Sequence, residues 1–461
     1  MIRWPFPRSL VLVLALAIPP SPVGAQTPAP APPGTPMPPP PTRTGPPMPT
    51  REPLPAPPGI RPFATPQELV GRELTIEEAV NIGMENAPKI VARIGDYLAA
   101  QQRVNQALAP LLPQLTGSGN YGRLRRVSTI TGGADHTDFG SASVTAAQLL
   151  FDFGRTWAAK DVAKSSAEAL KEVLETQKLD ISQLVKTQYY TLLLSKRLVE
   201  VNVTALERAE VNLRSAQGFF QVGTQPKSFV TRAEVDVANG RVNVIRAQNA
   251  VSLARVALNT AMGIAVNAPT EVKDLLAYQP FPMNRDALVA EAIKNRPEYR
   301  QVKAQAEAAD AFVRQTFRDF FPNLFGSGTY GVVGVTGASA FNSRSTSGFA
   351  DSGNEWNVGL TLNWSIFDGG GKVARYKEAK ANLEASQARV RDAELQVWQS
   401  VEQSYLNLGE AEERIGAAGK AVESAEENYQ LALTQAQSTE AQALSDYRIA
   451  IANLERALGR R

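Results

Sequence analysis

Few residues of this chain belong to types that carry out covalent or metal chemistry. His136 is the only histidine, and with Asp135 and Asp138 it forms the one group that could be considered as a metal site. A loop rich in Gly, Asp and Thr between two strands accounts better for the same residues. The absence of cysteine excludes disulfides, thiolate ligands for zinc and a thiol nucleophile. We therefore expect no metal, no cofactor and no catalytic residue, and do not expect an enzyme.

Charged side chains are numerous but balanced. The chain has 48 basic and 45 acidic residues, and so even a balance gives no support to nucleic-acid binding. Carboxylates on the predicted helices have lysines three and four positions away, which is the pattern of a solvated helix face. One such run is Glu168, Lys171, Glu172, Glu175 and Lys178. No glycine-rich loop of the kind that binds nucleotide phosphates stands out.

The first 66 residues are predicted to lie outside the folded part. Residues 1–25 have the features of a signal peptide, because basic residues precede a short apolar run and Val23-Gly24-Ala25 resembles a cleavage site. The apolar run is shorter than the about 20 residues that a membrane span needs; an uncleaved anchor is the alternative. Residues 26–66 are rich in proline and poor in large apolar side chains, which predicts a disordered linker.

The remainder of the chain contains an internal duplication. Three motifs recur in the same order, the first two displaced by 209 positions and the third by 216. The pairs are Asn86-Ala87-Pro88 with Asn295-Arg296-Pro297, the segment 113–122 with 322–331, and 150–154 with 366–370. We therefore divide the chain into a first repeat, 67–263, and a second repeat, 264–461.

Each repeat predicts short helices, two strands, a very long helix, a turn and a further helix. A capping box of Thr75 and Glu78 begins the first helix, and prolines such as Pro88 and Pro113 interrupt or end the helical region. In the first repeat the predicted elements are helices at 75–112, strands at about 113–127 and 140–151, a long helix at 155–222 and a helix at 229–262. In the second they are helices at 286–321, strands at about 322–335 and 355–367, a long helix at 372–436 and a helix at 440–458.

The clearest strand pattern lies at 355–367. Its apolar face consists of Trp356, Val358, Leu360, Leu362, Trp364 and Ile366. Strict alternation predicts a strand with one apolar and one polar face. The length, the aromatic residues near both ends and the preceding signal peptide favour a membrane-barrel strand over a half-buried strand of a soluble sheet. The first repeat fits less well, because Gln148 interrupts its apolar face.

Two strands per repeat give four per chain, and four strands cannot close a barrel. Open sheet edges are not tolerated in hydrocarbon, so several chains must contribute strands if these segments cross a membrane. Three chains would give 12 strands, which is within the known range of barrels. The long helices, at about 100 Å, exceed any compact domain, and the apolar spacing from Ile415 to Ala436 is that of a coiled coil.

The turn after the first long helix has a local cause. Gly223 can adopt positive φ and Pro226 cannot continue a helix, which places the turn at about 222–228. In the second repeat, the final Ala-Leu-Gly at 457–459 matches 261–263 at a displacement of only 196 positions. The missing residues fall between Ala436 and Leu444, so we expect the second hairpin to be shorter by about ten residues per arm, or about 15 Å.

Together these features resemble the outer-membrane efflux protein family, the TolC-like outer-membrane factors. The resemblance covers residues 67–461, and its most telling motifs are the strand exit at 150–154 and the tip sequence at 220–224, with Ala233 beyond it. It implies a fold that is mainly α with membrane β. In that fold a homotrimer forms a 12-stranded barrel in the outer membrane of a Gram-negative bacterium and a 12-helix tunnel in the periplasm.

The resemblance also implies a function. The chain would be the outer-membrane channel of a tripartite efflux or type I secretion system, a passive conduit whose partners are a periplasmic adaptor protein, an inner-membrane transporter and outer-membrane lipid. The adaptor contact would be the helix tip, formed by Val222, Gly223, Thr224, Gln225 and Ser228. Phe229 stands where the family carries an acidic gate residue, so no gate residue is assigned. Two alternatives stay open, a periplasmic adaptor and a coiled-coil protein outside the membrane, and no residue identifies the transported substrate.

Overall fold

The computed structural model describes residues 72–127, 134–281, 285–336, 351–428 and 430–461. The signal peptide at 1–25 and the linker at 26–66 lie outside the described residues, so both stay predictions. Within the described ranges the two repeats follow one order of elements: a short strand and helices, two long strands, a very long helix and a shorter helix.

The first repeat begins at β1 and ends with α4. It comprises β1 (Glu73–Leu74), α1 (Ile76–Asn86), α2 (Pro88–Leu108), a 3-10 turn (Ala109–Leu111), β2 (Gln114–Val127), β3 (Ala134–Phe151), α3 (Arg155–Gln221) and α4 (Lys227–Met262). The second comprises β4 (Glu271–Val272), α5 (Arg285–Asn295), α6 (Pro297–Arg318), β5 (Asn323–Thr336), β6 (Asp351–Asn363), α7 (Gly371–Asn428) and α8 (Gln430–Ala457).

The second hairpin differs from its prediction in where it turns. The predicted long helix continued to 436, whereas α7 ends at Asn428 and α8 begins at Gln430, so 436–440 is helical. The segment 421–445 contains neither Gly nor Pro, and without such a residue the sequence gives no local turn signal. The hairpin is nevertheless shorter than the first, since α7 and α8 have 58 and 28 residues against 67 and 36 in α3 and α4.

The repeated strand-exit motif begins the long helices. Asp152 accepts hydrogen bonds from the backbone N–H of Thr156 at 2.6 Å and of Gly154 at 2.9 Å. Asp368 plays the same part in the second repeat, where it accepts from the backbone N–H of Lys372 at 2.9 Å. These bonds satisfy amide groups that the first turn of a helix leaves without partners. The motif therefore determines where each long helix begins after its strand.

Two apolar cores flank the middle of the long helices. One lies where α1, α3 and α4 meet β1 and β4, and its members include Val185, Tyr189, Leu258 and Met262. The other joins α5, α7 and α8 and includes Val401, Leu408, Tyr447 and Leu454. The Tyr189 hydroxyl donates to the carbonyls of Leu74 at 2.9 Å and Lys273 at 2.8 Å, which ties β1 and β4 to α3.

Charged groups join the two repeats. One Arg456 Nη2 lies 2.7 Å from both Asp180 Oδ1 of α3 and Glu298 Oε1 of α6. Arg296 Nε lies 3.4 Å from the other oxygen of Glu298. Burial would raise the pKa of Glu298, but the positive charges of Arg456 and Arg296 outweigh it and hold that pKa below its ordinary value of 4.5.

The ion pairs of Glu298 with Arg456 and Arg296 predict that the stability of the fold depends on pH. Because the folded-state pKa of Glu298 is lowered, its stabilising contribution is present above pH 4.5 and is lost as the pH falls through the folded-state pKa. We expect Glu298→Gln to lower the free energy of unfolding by about 1–3 kcal/mol at neutral pH, and by progressively less below pH 4.5. Denaturant unfolding in detergent, followed by circular dichroism across this pH range, measures the difference. A difference that stays constant with pH would contradict the assignment.

Candidate functional sites: the sheet faces and the first hairpin tip

The long strands form one antiparallel sheet in the order β2-β3-β5-β6. Successive side chains of a strand point to opposite faces, so the register determines what each face carries. Val358 and Leu360 of β6 stand opposite Gly328 and Gly326 of β5. A Cβ added at Gly326 would lie 3.5 Å from Leu150 Cδ1 and 3.7 Å from Leu360 Cδ2. Glycine here lets apolar side chains of the flanking strands approach each other across β5.

One face of the sheet is apolar and is left uncovered by the chain. The side chains of Trp356, Val358, Leu360 and Leu362 are 76, 78, 72 and 63% exposed. Strand register continues this face over the other strands through further exposed side chains: Leu115, Tyr121, Val144, Leu150, Tyr330 and Val332. A contiguous apolar face of this kind marks contact with a membrane or another protein.

Trp364 and Ile366, predicted on the same strand face, lie beyond the strand. β6 ends at Asn363, and the Trp364 indole N–H donates to the Phe320 carbonyl at 3.1 Å. The chain leaves the sheet here to enter α7, which strict alternation alone does not reveal. At this end of the sheet a chain of ring contacts joins five aromatic residues: Phe151, Phe153, Phe321, Phe317 and Tyr376. Aromatic side chains at a strand end are typical of a membrane–water interface.

The glutamine that interrupts the apolar face of the first repeat has a partner. Gln148 Nε2 donates to the Leu111 carbonyl of the 3-10 turn that precedes the sheet. A buried or membrane-facing amide is costly only when its hydrogen bonds are unmade. The polar residue therefore does not break the apolar character of the face.

The opposite face carries hydroxyl and amide groups. Ser118 Oγ lies 2.8 Å from Ser143 Oγ, and Thr145 Oγ1 lies 3.1 Å from Thr329 Oγ1, so neighbouring strands are linked by side-chain hydrogen bonds. Register places further polar residues on this face: Gln114, Thr116, Asn120, Ser141, Asn323, Ser327, Glu355, Asn357, Thr361 and Asn363. Sequence reasoning did not identify this face in the first repeat. The alternation of hydroxyl residues at 141, 143 and 145 is the signal that could have found it.

Both outer strands of the sheet have an unpaired edge. Within the described residues β2, of 14 residues, pairs only with β3, and β6, of 13 residues, pairs only with β5. A long unpaired edge exposes a row of backbone N–H and C=O groups that can pair with another strand. Each outer strand of the sheet can therefore pair with a strand of another chain.

The first hairpin turns in a compact motif. Gly223 has φ of +77° and its N–H donates to the Phe220 carbonyl at 3.0 Å, while the Thr224 N–H donates to the Phe219 carbonyl at 3.0 Å. This is a glycine-dependent helix end. Of the predicted tip residues, Val222, Gly223, Thr224 and Gln225 form the turn. Ser228 does not, because α4 already begins at Lys227, immediately after Pro226.

Exposed apolar side chains surround this turn. Phe219, Phe220 and Val222 at the end of α3, and Phe229 at the start of α4, are 54, 44, 76 and 53% exposed. From 211 to 233 the only charged residues are Arg214, Lys227 and Arg232. The tip thus combines an apolar surface with positive charge, which is a composition suited to a protein partner.

The side chains of Asp135 and His136, which were considered for metal chemistry, lie outside the part of the chain that the structure describes. In the ranges that the structure covers, no cluster of three or more His, Asp or Glu side chains could hold a metal ion. The backbone of His136 lies in β3, opposite Arg125, because this strand begins at Ala134 rather than at 140. Across the same ranges, no helix combines the length and apolar character that a transmembrane helix needs.

Two proteins of known description are similar to this chain over about three quarters of its length. Over 344 residues the chain is 25% identical to the outer membrane protein TolC of Escherichia coli, covering 74% of this chain and 69% of TolC. It is 25% identical over 376 residues to the alkaline protease secretion protein AprF of Pseudomonas aeruginosa, covering 76% of this chain and 73% of AprF.

Solved structures show the same fold. The outer-membrane channel OprN aligns with a TM-score of 0.67 at 20% identity, over 83% of this chain and 89% of OprN. VceC of Vibrio cholerae aligns with a TM-score of 0.64 at 17% identity, over 83% and 96% of the two chains. The family model described as outer membrane efflux protein matches residues 82–264 and 288–438. The chain therefore belongs to the outer membrane efflux protein family, whose members are outer-membrane channels and not enzymes.

Proposed function

We propose that three copies of this chain form a passive conduit of a tripartite efflux or type I secretion system. The sheet with two unlike faces and two unpaired edges is the observation that carries the proposal. Residues 1–25 would direct export, and residues 26–66 would serve as a tether. The apolar face would contact outer-membrane lipid, and the hydroxyl and amide face would line the water-filled interior.

The edges determine how copies would join. β2 and β6 run in opposite directions, because the four strands are consecutively antiparallel. Pairing β6 of one copy with β2 of the next therefore continues an antiparallel sheet, and the same head-to-tail contact repeated around an axis closes a ring. Closure removes both edges, as hydrocarbon requires.

The number of copies follows from the space that a barrel needs inside it to conduct a substrate. Two copies would give eight strands, and the interior of a barrel of about eight strands is filled by its own side chains. Three copies give about 12 strands, the smallest multiple of four that leaves room for a channel. The long helices of the three copies would continue this channel through the periplasm as a sheath of 12.

The turn of the first hairpin, at the end of α3 away from the sheet, indicates where protein partners would bind. The exposed apolar tip around Val222 and Phe229 is far from the sheet and would receive a periplasmic adaptor protein, which links the conduit to an inner-membrane transporter. The conduit itself would use no nucleotide, so the transporter would supply the energy and the choice of substrate.

Paired cysteines test the strand junction, since the native chain contains none. We expect Ser118→Cys on β2, combined in turn with Asn357→Cys, Gly359→Cys or Thr361→Cys on β6, to give disulfide-linked trimers in at least one pair, because these positions share the polar face. Ser118→Cys with Leu360→Cys is the matched control and should not link, since Leu360 faces the other way. Recovery of a soluble periplasmic monomer on unheated gels, with no link in any pair, would contradict the proposal.

A further inference from the structure

The two hairpins of the chain end at different levels. Ser445 Oγ of α8 donates to the Tyr190 carbonyl of α3 at 3.5 Å, which aligns these positions along the rod. Fifteen residues separate Ser445 from the start of α8 at Gln430, whereas 31 separate Tyr190 from the end of α3 at Gln221. Measured at this contact, the first hairpin continues past α8 for about 16 helical residues, or about 24 Å. Measured from the sheet, α3 with 67 residues continues past α7 with 58 residues by about nine residues, or about 14 Å.

The projecting part is a two-helix hairpin without a neighbour in the described chain. Its base lies where α4 crosses Leu206, since a Cβ at Gly240 would lie 3.1 Å from Leu206 Cδ1. At the base, Arg241 Nη2 lies 3.4 Å from Glu210 Oε1. We call residues 206–240 the prong. Among residues 206–240 the structure buries only Ala216 and Val237.

In the proposed trimer this geometry leaves three prongs and three gaps. At the level of Tyr190 each copy contributes α3, α4, α7 and α8, which makes 12 helices around the axis. Beyond the second hairpin only α3 and α4 remain, which makes six. Each gap between prongs is about two helices wide, or about 20 Å, and about 14 to 24 Å deep. Six helices in three separate pairs cannot close the same circumference.

The prong surface indicates what fills a gap. Its exposed apolar side chains lie on both arms as well as at the turn: Val211, Phe219, Phe220, Val222, Phe229 and Val235. Its acidic residues are Glu207, Glu210, Glu234 and Asp236, and its basic residues are Arg208, Arg214, Lys227 and Arg232. From 211 to 233, the part that includes the turn, all three charged residues are basic. An occupant therefore needs apolar helix faces and negative charge near the level of the tip.

The second hairpin does not share this chemistry. Its end, 419–440, has four glutamates, Glu423, Glu426, Glu427 and Glu440, against one lysine, Lys420, and no aromatic residue other than Tyr429. The two tips of one chain are thus opposite in charge and different in apolar content, so one partner surface cannot fit both in the same way.

We infer that each gap receives one helical hairpin of a periplasmic adaptor, packed side by side with the prong arms, so that three partner hairpins complete the end of the tunnel. The partner hairpin has apolar faces toward the prongs and acidic side chains near Lys227 and Arg232. This inference rests on the proposed trimeric conduit. The partner, rather than this chain, then supplies half of the tunnel wall at its periplasmic end.

Photo-crosslinking in the native host tests the packing. A benzophenone amino acid replaces Val211 on α3, Val235 on α4 or Val222 at the turn, and mass spectrometry locates the linked residues. We expect Val211 and Val235 to link to the two helical arms of the adaptor of the same export system. Links from Val222 alone to the adaptor's loop would mean end-on contact and would overturn the inference. Links from one prong to another copy's prong, or no link from either arm position, would also overturn it.

Charge reversal at the prong provides a second, independent test. We expect Lys227→Glu with Arg232→Glu to lower the yield of adaptor cross-links from Val235 by about tenfold. Lys227→Arg with Arg232→Lys should keep the yield, and Lys420→Glu on the second hairpin should leave it unchanged. An equal loss for Lys420→Glu would overturn the assignment to the prong. Unheated gels and the Ser118 disulfides report trimer formation in every variant, so failure of the conduit itself is recognised separately.

Discussion

A chain with Leu360→Arg is expected to lose most of its membrane-inserted trimer. Leu360 is 72% exposed on the apolar face and has apolar side chains on either side of it along β6. On the lipid-facing side of a barrel, Arg costs about 2–4 kcal/mol near the bilayer midplane and about 0–1 kcal/mol near the interfaces. Three copies carry the substitution, so the cost per trimer is about 6–12 kcal/mol. Membrane fractionation and unheated gels would show the loss directly.

The neighbouring residue provides a matched control. Thr361 lies on the hydroxyl and amide face, so Thr361→Arg adds the same charge to the proposed water-filled interior. We expect this variant to form trimers at close to the native level and to alter ion selectivity in planar bilayers, because charge in a channel interior tunes selectivity. Equal loss of trimer in both variants would mean that the two faces of the sheet do not differ in environment. Tolerance of Leu360→Arg would remove the lipid-facing assignment.

The periodic signals in the sequence predict the elements well and their ends less well. Alternation from Trp356 to Leu362 is strand in the structure, but it continues through Ile366, where the chain has already left the sheet. Alternation of apolar and polar residues shows which side chains share a face. It does not show where the backbone hydrogen bonds to the neighbouring strand end. Pairing stops here because β5 begins at Asn323, opposite Asn363, and offers β6 no further partner. That information belongs to another segment of the chain.

The turn positions show the same contrast. Gly223 and Pro226 locate the first turn because each residue has a local conformational effect. The second turn has no such residue, and its prediction rested on matching repeats of unequal length. The level difference between the hairpins was also beyond sequence reasoning. The count of missing residues gives arm lengths, whereas the projection of the prong depends on how α8 is set against α3, which Ser445 and Tyr190 reveal.

The tertiary reason for the repeated Asn-x-Pro motif was likewise not visible in the sequence. The motif ends the first short helix of each repeat, and it packs against the glycine that ends the last helix. A Cβ at Gly263 would lie 2.7 Å from the Asn86 carbonyl oxygen, and a Cβ at Gly459 would lie 3.0 Å from the Asn295 carbonyl carbon. Two motifs about 170 residues apart in each repeat thus form one contact, and the duplication preserves the contact rather than either motif alone.

This contact predicts a large loss of stability for Gly263→Ala. Gly263 has φ of +69°, and its N–H donates to the Thr260 carbonyl at 3.1 Å, while the Ile264 N–H donates to the Asn259 carbonyl at 3.1 Å. A side chain in this conformation costs about 1–3 kcal/mol, and displacing the backbone at Asn86 adds about 1–3 kcal/mol. We expect the free energy of unfolding in detergent to fall by about 2–6 kcal/mol per chain.

Gly218→Ala is the matched control because it makes the same change inside a helix. A Cβ at Gly218 would meet no atom within 4 Å, and this residue lies in α3. Replacing a helical glycine by alanine should raise the free energy of unfolding by about 0.5–1 kcal/mol. The two substitutions are therefore expected to have opposite signs, although each adds one methyl group. A loss for Gly263→Ala no larger than about 0.5 kcal/mol would mean that Asn86 can move away freely. The repeated Asn-x-Pro and glycine motifs would then need an explanation other than their contact.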